Sequence, residues 1–269
     1  MRTRGAVALS LAGAVLVALV AASRRLSAGL DRPELLTGTV LAVLMLGLWA
    51  LNMKKRLAMF PLGTSAFWLD VHVAGGLLAA GAFWVHTQGR FWPEGATDRL
   101  LAGAFYLVTL SGVLGYFLQK IYPPYLASHG VEVIFERIPE ELARLREESE
   151  ALVVACAAET GSSTLARLYS EELSWYFRRP RFLLGHVAVS DGGAKWVRRR
   201  VGEVSRFLDA SERPFHKRLL KIAYHKNDLD FHFAAQGLMK GWLLAHVPLA
   251  VATVILAAWH IFKSLVYAI

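Results

Sequence analysis

Residues 66–86, AFWLDVHVAGGLLAAGAFWVH, and residues 241–262, GWLLAHVPLAVATVILAAWHIF, decide how this chain is read. Each is an apolar run of the length, about 20 residues, that a helix needs to cross a hydrocarbon core of roughly 30 Å. Each also holds two histidines at the same separation, His72 with His86 and His246 with His260. Fourteen helical steps of about 100° return the second imidazole to within about 40° of the first, and at 1.5 Å per step it lies about 21 Å farther along the axis. Each helix therefore presents one imidazole near each membrane face.

Working outward, three further apolar runs cover residues 5–22, 35–51 and 100–118. The chain has 269 residues, 55% apolar and 19% charged, a balance too apolar for a water-soluble domain of this size. The expected fold class is an all-α integral membrane protein: five transmembrane helices, a four-helix haem-binding bundle among them, and a mostly helical soluble insertion before the last helix. The first run follows Arg2 and Arg4 and ends in Ala21, Ala22 and Ser23, so it reads either as a span or as a cleaved signal peptide. The second is short, with Trp49 near one end and Lys54, Lys55 and Arg56 beyond it as interfacial anchors. The net charge of +9 comes from basic residues flanking apolar runs rather than from a run interleaved with aromatics, so nucleic acid is not an expected partner. A single cysteine, Cys156, excludes an internal disulfide, and the chain lacks both the C-x-x-C-H haem-attachment motif and paired thiolates for zinc or an iron–sulfur cluster.

With only a short connection, one returning helix and a long insertion between them, the helices at 66–85 and 241–262 run parallel. His72 then shares a depth with His246, and His86 with His260. Facing imidazoles at one depth can supply both axial ligands of an iron porphyrin, so the expected cofactors are two non-covalent b-type haems, one iron held by His72 and His246 and the second by His86 and His260. Ligands about 21 Å apart on one helix cannot share a mononuclear site. Gly75, Gly76, Gly112 and Gly115 are candidate cofactor-binding positions, where backbone approaches a flat ring, although glycine equally serves ordinary helix packing. Pro248 lies beside His246, and Lys54, Arg56, Arg90, Arg99 and Lys263 lie near helix ends where propionates would emerge.

These two H-x13-H pairs resemble the dihaem cytochrome b superfamily, which includes the transmembrane haem domain of ferric reductases and NADPH oxidases and the four-helix core of respiratory cytochrome b. The resemblance covers about residues 35–120 and 241–269 and implies a bundle whose haems carry electrons between membrane faces. The sequence departs from both relatives. Fused ferric reductases continue into FAD and NAD(P)H modules, whereas seven residues follow Phe262 here. Respiratory cytochrome b has a Pro-Glu-Trp-Tyr quinol motif, and the nearest string here, Pro139-Glu140-Glu141-Leu142, lies outside the membrane runs.

The expected division is residues 1–34 as an N-terminal helix or signal anchor with its loop, 35–120 as the first part of the bundle, 121–238 as the insertion and 239–269 as the last ligating helix. Within the insertion, helices are expected from Pro139, over 162–176, over 195–208 and over 211–239, the last running into the membrane helix; residues 131–135 and 187–189 read as short strands. Residues 131–160 hold eight acidic and three basic side chains, residues 176–226 thirteen basic and four acidic, so a basic half is expected beside anionic lipid headgroups. His225, Asp228, Asp230 and His232 form H-x2-D-x-D-x-H, but i,i+7 on a helix is about 10.5 Å, too far for one metal. Nucleotide and serine-hydrolase motifs are missing from the insertion.

The function expected is a dihaem cytochrome subunit passing electrons between a quinone or protein donor and a partner, with a c-type cytochrome, iron–sulfur protein or flavoprotein as the expected redox companion. It is an electron-transfer subunit rather than a self-contained enzyme. Two alternatives stay open: an oxidoreductase of the ferric-reductase kind reducing a small acceptor, and a structural anchor recruiting partners through the insertion. The location expected is a multi-pass protein of a bacterial-type inner or other energy-transducing membrane, with the insertion cytoplasmic.

Overall fold

The computed structural model describes residues 2–29, 32–56, 64–128 and 133–267. Among these every regular element is helical. The α-helices are α1 (Arg2–Ala28), α2 (Pro33–Arg56), α3 (Ser65–His86), α4 (Ala96–Ser128), α5 (Ile138–Thr160), α6 (Thr164–Leu168), α7 (Ser174–Phe177), α8 (Leu183–Val187), α9 (Gly192–Arg200) and α10 (Arg213–Tyr267). Four stretches are long and apolar enough to cross a membrane: Gly5–Ala28, Ala66–His86, Ala96–Ser128 and Arg213–Val266. This is the composition of a multi-pass membrane protein. The expectation was five; in α2 the apolar part, Pro33–Trp49, is shorter, about 25 Å at 1.5 Å per residue.

The chain divides into two compact units, Met1–Tyr116 with Leu244–Ile269, and Phe117–Leu243. In the first, α1, α2 and α3 pack closely on one another. Their shared core is Leu19, Leu41, Ala79, Ala82 and Phe83, joined from α4 by Ala102 and Phe105. The Phe83 and Phe105 rings stack with centroids 4.3 Å apart. Small residues let backbones approach here, which drives helix association where lipid removes the hydrophobic drive between helices. Large apolar side chains turn outward, including Val17 at 70% exposure and Leu110 at 66%, the inverse of a water-facing surface. Residues 1–34, set apart in the sequence reading, belong to this unit, with Leu19 of α1 buried in its core.

The α3–α4 connection is short and pinned. Gln88, Gly89 and Gly95 take positive φ, Tyr106 donates its hydroxyl proton to the Phe91 carbonyl at 2.8 Å, and Arg99 Nε donates to the Pro93 carbonyl at 3.2 Å. That loop fixes the start of α4, and with it Asp98.

In the second unit α5 begins with Pro139 in its first turn followed by Glu140 and Glu141, a start that needs no amide hydrogen from proline and suits the positive end of the helix dipole. It buries Leu142, Leu145, Leu152, Val153 and Cys156 along one side, against Leu173, Tyr176, Phe177, Val197, Leu219 and Ile222 among others. Gly161, in the left-handed region at φ 69°, ends it. Four expectations are corrected. Residues 187–189 are the end of α8 and a turn rather than a strand, since Val189 takes φ 53°. Of 131–135, the first two lie outside the described residues; Val133 and Ile134 are irregular and Phe135 opens a 3-10 turn. The helix expected over 195–208 breaks after Arg200 into a 3-10 turn, Gly202–Phe207, and the helix over 162–176 carries a π turn at Tyr169–Leu173.

Candidate functional site

The site lies in the first unit, where α3 and α10 each carry two histidines. His72 faces His246 with ring centroids 6.5 Å apart and planes at 74°. His86 faces His260 with centroids 6.3 Å apart and planes at 89°. The α3 and α10 backbones are not closely packed, so imidazoles span the gap between them. Midway between each pair of histidines, on the same helical face, stand the small residues Ala79 and Thr253, both buried.

Three of the four imidazoles, His86, His246 and His260, have a hydrogen-bond partner at Nδ1. Thr37 of α2 donates its hydroxyl proton to the Pro33 carbonyl at 3.0 Å, leaving the oxygen free to accept from His86 Nδ1 at 3.1 Å. Asp98, in the first turn of α4, accepts from His260 Nδ1 at 2.9 Å. His246 Nδ1 is 3.1 Å from Ser111 Oγ of α4, while His72 Nδ1 is buried without a hydrogen-bond partner among the described residues. For His86 and His260 these bonds place the proton on Nδ1 and leave Nε2 with a lone pair, the form a metal takes. A metal between two facing imidazoles, with bonds of about 2.0 Å and about 1.15 Å from each nitrogen to its ring centre, sets the centroids about 6.3 Å apart. The centroid separations of both histidine pairs match that length.

The glycines sort into different roles. A Cβ on Gly38 of α2 would come to 3.0 Å from His86 Cε1, so this glycine admits the imidazole. On Gly112 a Cβ would meet His246 Cε1 at an ordinary 3.7 Å, on Gly75 it would meet Leu48 at 3.1 Å, and Gly76, one turn from His72, faces open space. Gly115 is buried in α4. Gly75 thus seats α2 on α3. Lys263 donates to Asp98 at 3.1 Å and to Thr97 at 2.6 Å, while the side chains of Lys54 and Arg56 lie outside the described residues. Beside His86 a cavity of about 420 Å³ is lined by Ser23, Ser27, Glu34, Thr37 and Gln88 among others, and Gln88 donates to Glu34 at 2.6 Å.

Sequence reasoning missed Thr37, Gly38, Asp98 and Ser111. Thr37-Gly38 inside an apolar run was the available signal for the first two. Nothing in the order of residues joined Asp98 to His260, 162 positions away. Among the described residues no group of three or more His, Cys, Asp or Glu side chains is placed to hold a metal ion. That includes His225, Asp228, Asp230 and His232, while a porphyrin iron asks the protein for only two ligands.

In the second unit Lys226 and Asp230 of α10 form an ion pair at 2.6 Å with both side chains wholly buried. Lys226 also donates to the Arg179 carbonyl at 3.1 Å and lies 3.9 Å over the Tyr176 ring. The Arg181 amide donates to Asp230 Oδ2 at 3.2 Å. Burial pushes the Lys226 ammonium down to about 8 and the Asp230 carboxyl up to about 7, because leaving water disfavours both charged forms.

No family model, curated protein or solved structure matches the chain.

Proposed function

We propose that the chain is a b-type dihaem cytochrome subunit, in which His72 with His246 and His86 with His260 each supply the two axial ligands of one non-covalent haem. The observation that carries the reading is the centroid separations of 6.5 and 6.3 Å in two pairs on the same two helices, against the roughly 6.3 Å that two nitrogen–metal bonds require. The gap between the α3 and α10 backbones and the open space at Gly76 support room for a flat ring. When bound, the haems would supply reversible one-electron chemistry; the four histidines would hold them, and Thr37, Ser111 and Asp98 would fix the orientation of the His86, His246 and His260 rings.

In this reading α2 is a fifth crossing, and α2, α3, α4 and the C-terminal part of α10 form the four-helix haem bundle. About 21 Å along the helix separates the two histidine levels, a span that reaches across much of the bilayer. The donor or acceptor at each end is a quinone or a partner redox protein, of the c-type cytochrome, iron–sulfur or flavoprotein kind, in an energy-transducing membrane. The test is expression of the full chain with a reduced-minus-oxidised spectrum and a pyridine haemochrome assay. Two b haems per chain are expected, and folded protein without b haem refutes the reading.

The polar cavity behind His86, with Glu34 and Gln88 in its wall, favours one second reading, reduction of a small acceptor at that end. Oxidation of the reduced protein by a ferric chelate, compared with reduction by a quinol, separates the two.

A further inference from the structure

The two histidine levels differ in what stands behind the imidazoles. At the His72/His246 level a neutral group, the Ser111 hydroxyl, lies 3.1 Å from His246 Nδ1. The nearest acidic residue in sequence, Asp70, lies two residues from His72 and so on the far side of α3, where its carboxylate would meet a Cβ on Gly5 at 3.7 Å. At the His86/His260 level the Thr37 hydroxyl backs His86, but a carboxylate oxygen, Asp98 Oδ1, backs His260 at 2.9 Å. The same oxygen accepts from Lys263 at 3.1 Å, so one cation shares the carboxylate with the imidazole. The geometry is partly buried: the side chains of His260, Asp98 and Lys263 are 35%, 26% and 25% exposed.

A carboxylate accepting the Nδ1 proton draws that proton toward itself and leaves the imidazole more electron-rich at Nε2. A more basic axial ligand, with a negative charge behind it, stabilises ferric iron over ferrous, and hydrogen bonding and local charge are established levers on haem potential. A serine hydroxyl does the same only weakly, being a neutral acceptor.

Resting on the dihaem reading above, we propose that Asp98 is a positioning residue that selectively lowers the midpoint potential of the haem held by His86 and His260. Lys263 sets how much of that effect reaches the ligand. The carboxylate acts through His260, and the His72/His246 haem is outside its reach.

The experiment is a potentiometric titration of the full-length protein in detergent, followed by haem absorbance, with the haem that disappears in His86→Ala serving to assign the two components. Asp98→Asn keeps an acceptor of the same shape and removes the charge. Its expected effect is a weakening of the ferric preference of the His86/His260 haem by about tenfold, which is about 59 mV upward for one electron. Lys263→Met leaves the carboxylate uncompensated and is expected to move the same haem downward, with the other haem unmoved in both variants. Opposite shifts in one haem are not what loss of packing produces. Should Asp98→Asn lose that haem, the sign of the Lys263→Met shift decides. Two b haems with no shift in either variant, shifts of the same sign, or shifts in the haem that survives His86→Ala overturn the assignment of Asp98 while leaving the dihaem reading intact. A wild-type protein without b haem overturns the dihaem reading, and the role of Asp98 falls with it.

Discussion

Replacing Gly38 by alanine tests whether α2 helps to build the His86 site. The added Cβ would stand 3.0 Å from His86 Cε1 and 3.4 Å from Nδ1. Ordinary contact begins near 3.4 Å, so Cε1 must retreat by about 0.4 Å. The ring cannot retreat freely, because Thr37, the neighbouring residue on the same helix, holds its Nδ1 at 3.1 Å. A displacement of about 0.4 Å exceeds the roughly 0.2 Å within which metal–ligand distances are held in well-formed sites. Disturbing a group that orients a ligand typically costs about 10–100-fold in affinity, or about 1.4–2.8 kcal/mol. Gly38→Ala is therefore expected to weaken the His86/His260 haem by that factor and leave the other haem untouched. Gly47→Ala is the control on the same helix, since a Cβ there meets nothing within 4 Å. The assay is haem titration of the apo-protein followed at the Soret band, with stoichiometry by pyridine haemochrome. If Gly38→Ala takes up both haems with wild-type affinity, the close approach of α2 to His86 has no part in the site.

Three other outcomes follow from the same geometry. His86→Ala and His260→Ala should remove one and the same haem, and His72→Ala and His246→Ala the other, with one b haem left in each single variant; haem content and redox spectra check this, and a shared loss between His86 and His246 variants would break the pairing. If haems are held as proposed with the imidazole planes at 74° and 89°, both ferric haems should give strongly anisotropic low-spin EPR signals with one dominant low-field feature, and a rhombic three-line spectrum would contradict it. In the second unit, Lys226→Met or Asp230→Leu alone should cost roughly 3–5 kcal/mol, while the double replacement should be near neutral. The pH sign is set by both shifts: with Asp230 raised to about 7 its ionisation lowers stability as pH rises from about 4 to 7, and with Lys226 lowered to about 8 its deprotonation restores stability as pH rises from 8 to about 10.5. Chemical denaturation across pH should thus show a dip between 7 and 8 that the double variant lacks.

Hydropathy and period by themselves determine a good deal about this chain. Runs of about 20 apolar residues announce membrane helices because no other open structure satisfies its backbone in lipid, and the fourteen-residue histidine spacing announces one helix face because 3.6 residues make a turn. Local rules likewise marked the start of α5 at Pro139-Glu140-Glu141 and the single long helix through Lys226 and His246. What local rules could not supply were contacts between distant residues. Asp98 meets His260 only because the pinned loop over residues 87–95 brings the start of α4 to the end of α10. Gly38 and Thr37 meet His86 because α2 lies against α3, a matter of which faces of two uniformly apolar helices choose one another. Lipid solvates every face of such helices alike, so sequence pattern leaves their rotation undetermined, and close packing of small residues decides it in three dimensions. The strand-like reading of residues 187–189 failed for a related reason: alternation over three residues is too short a signal to outweigh the turn that closes α8.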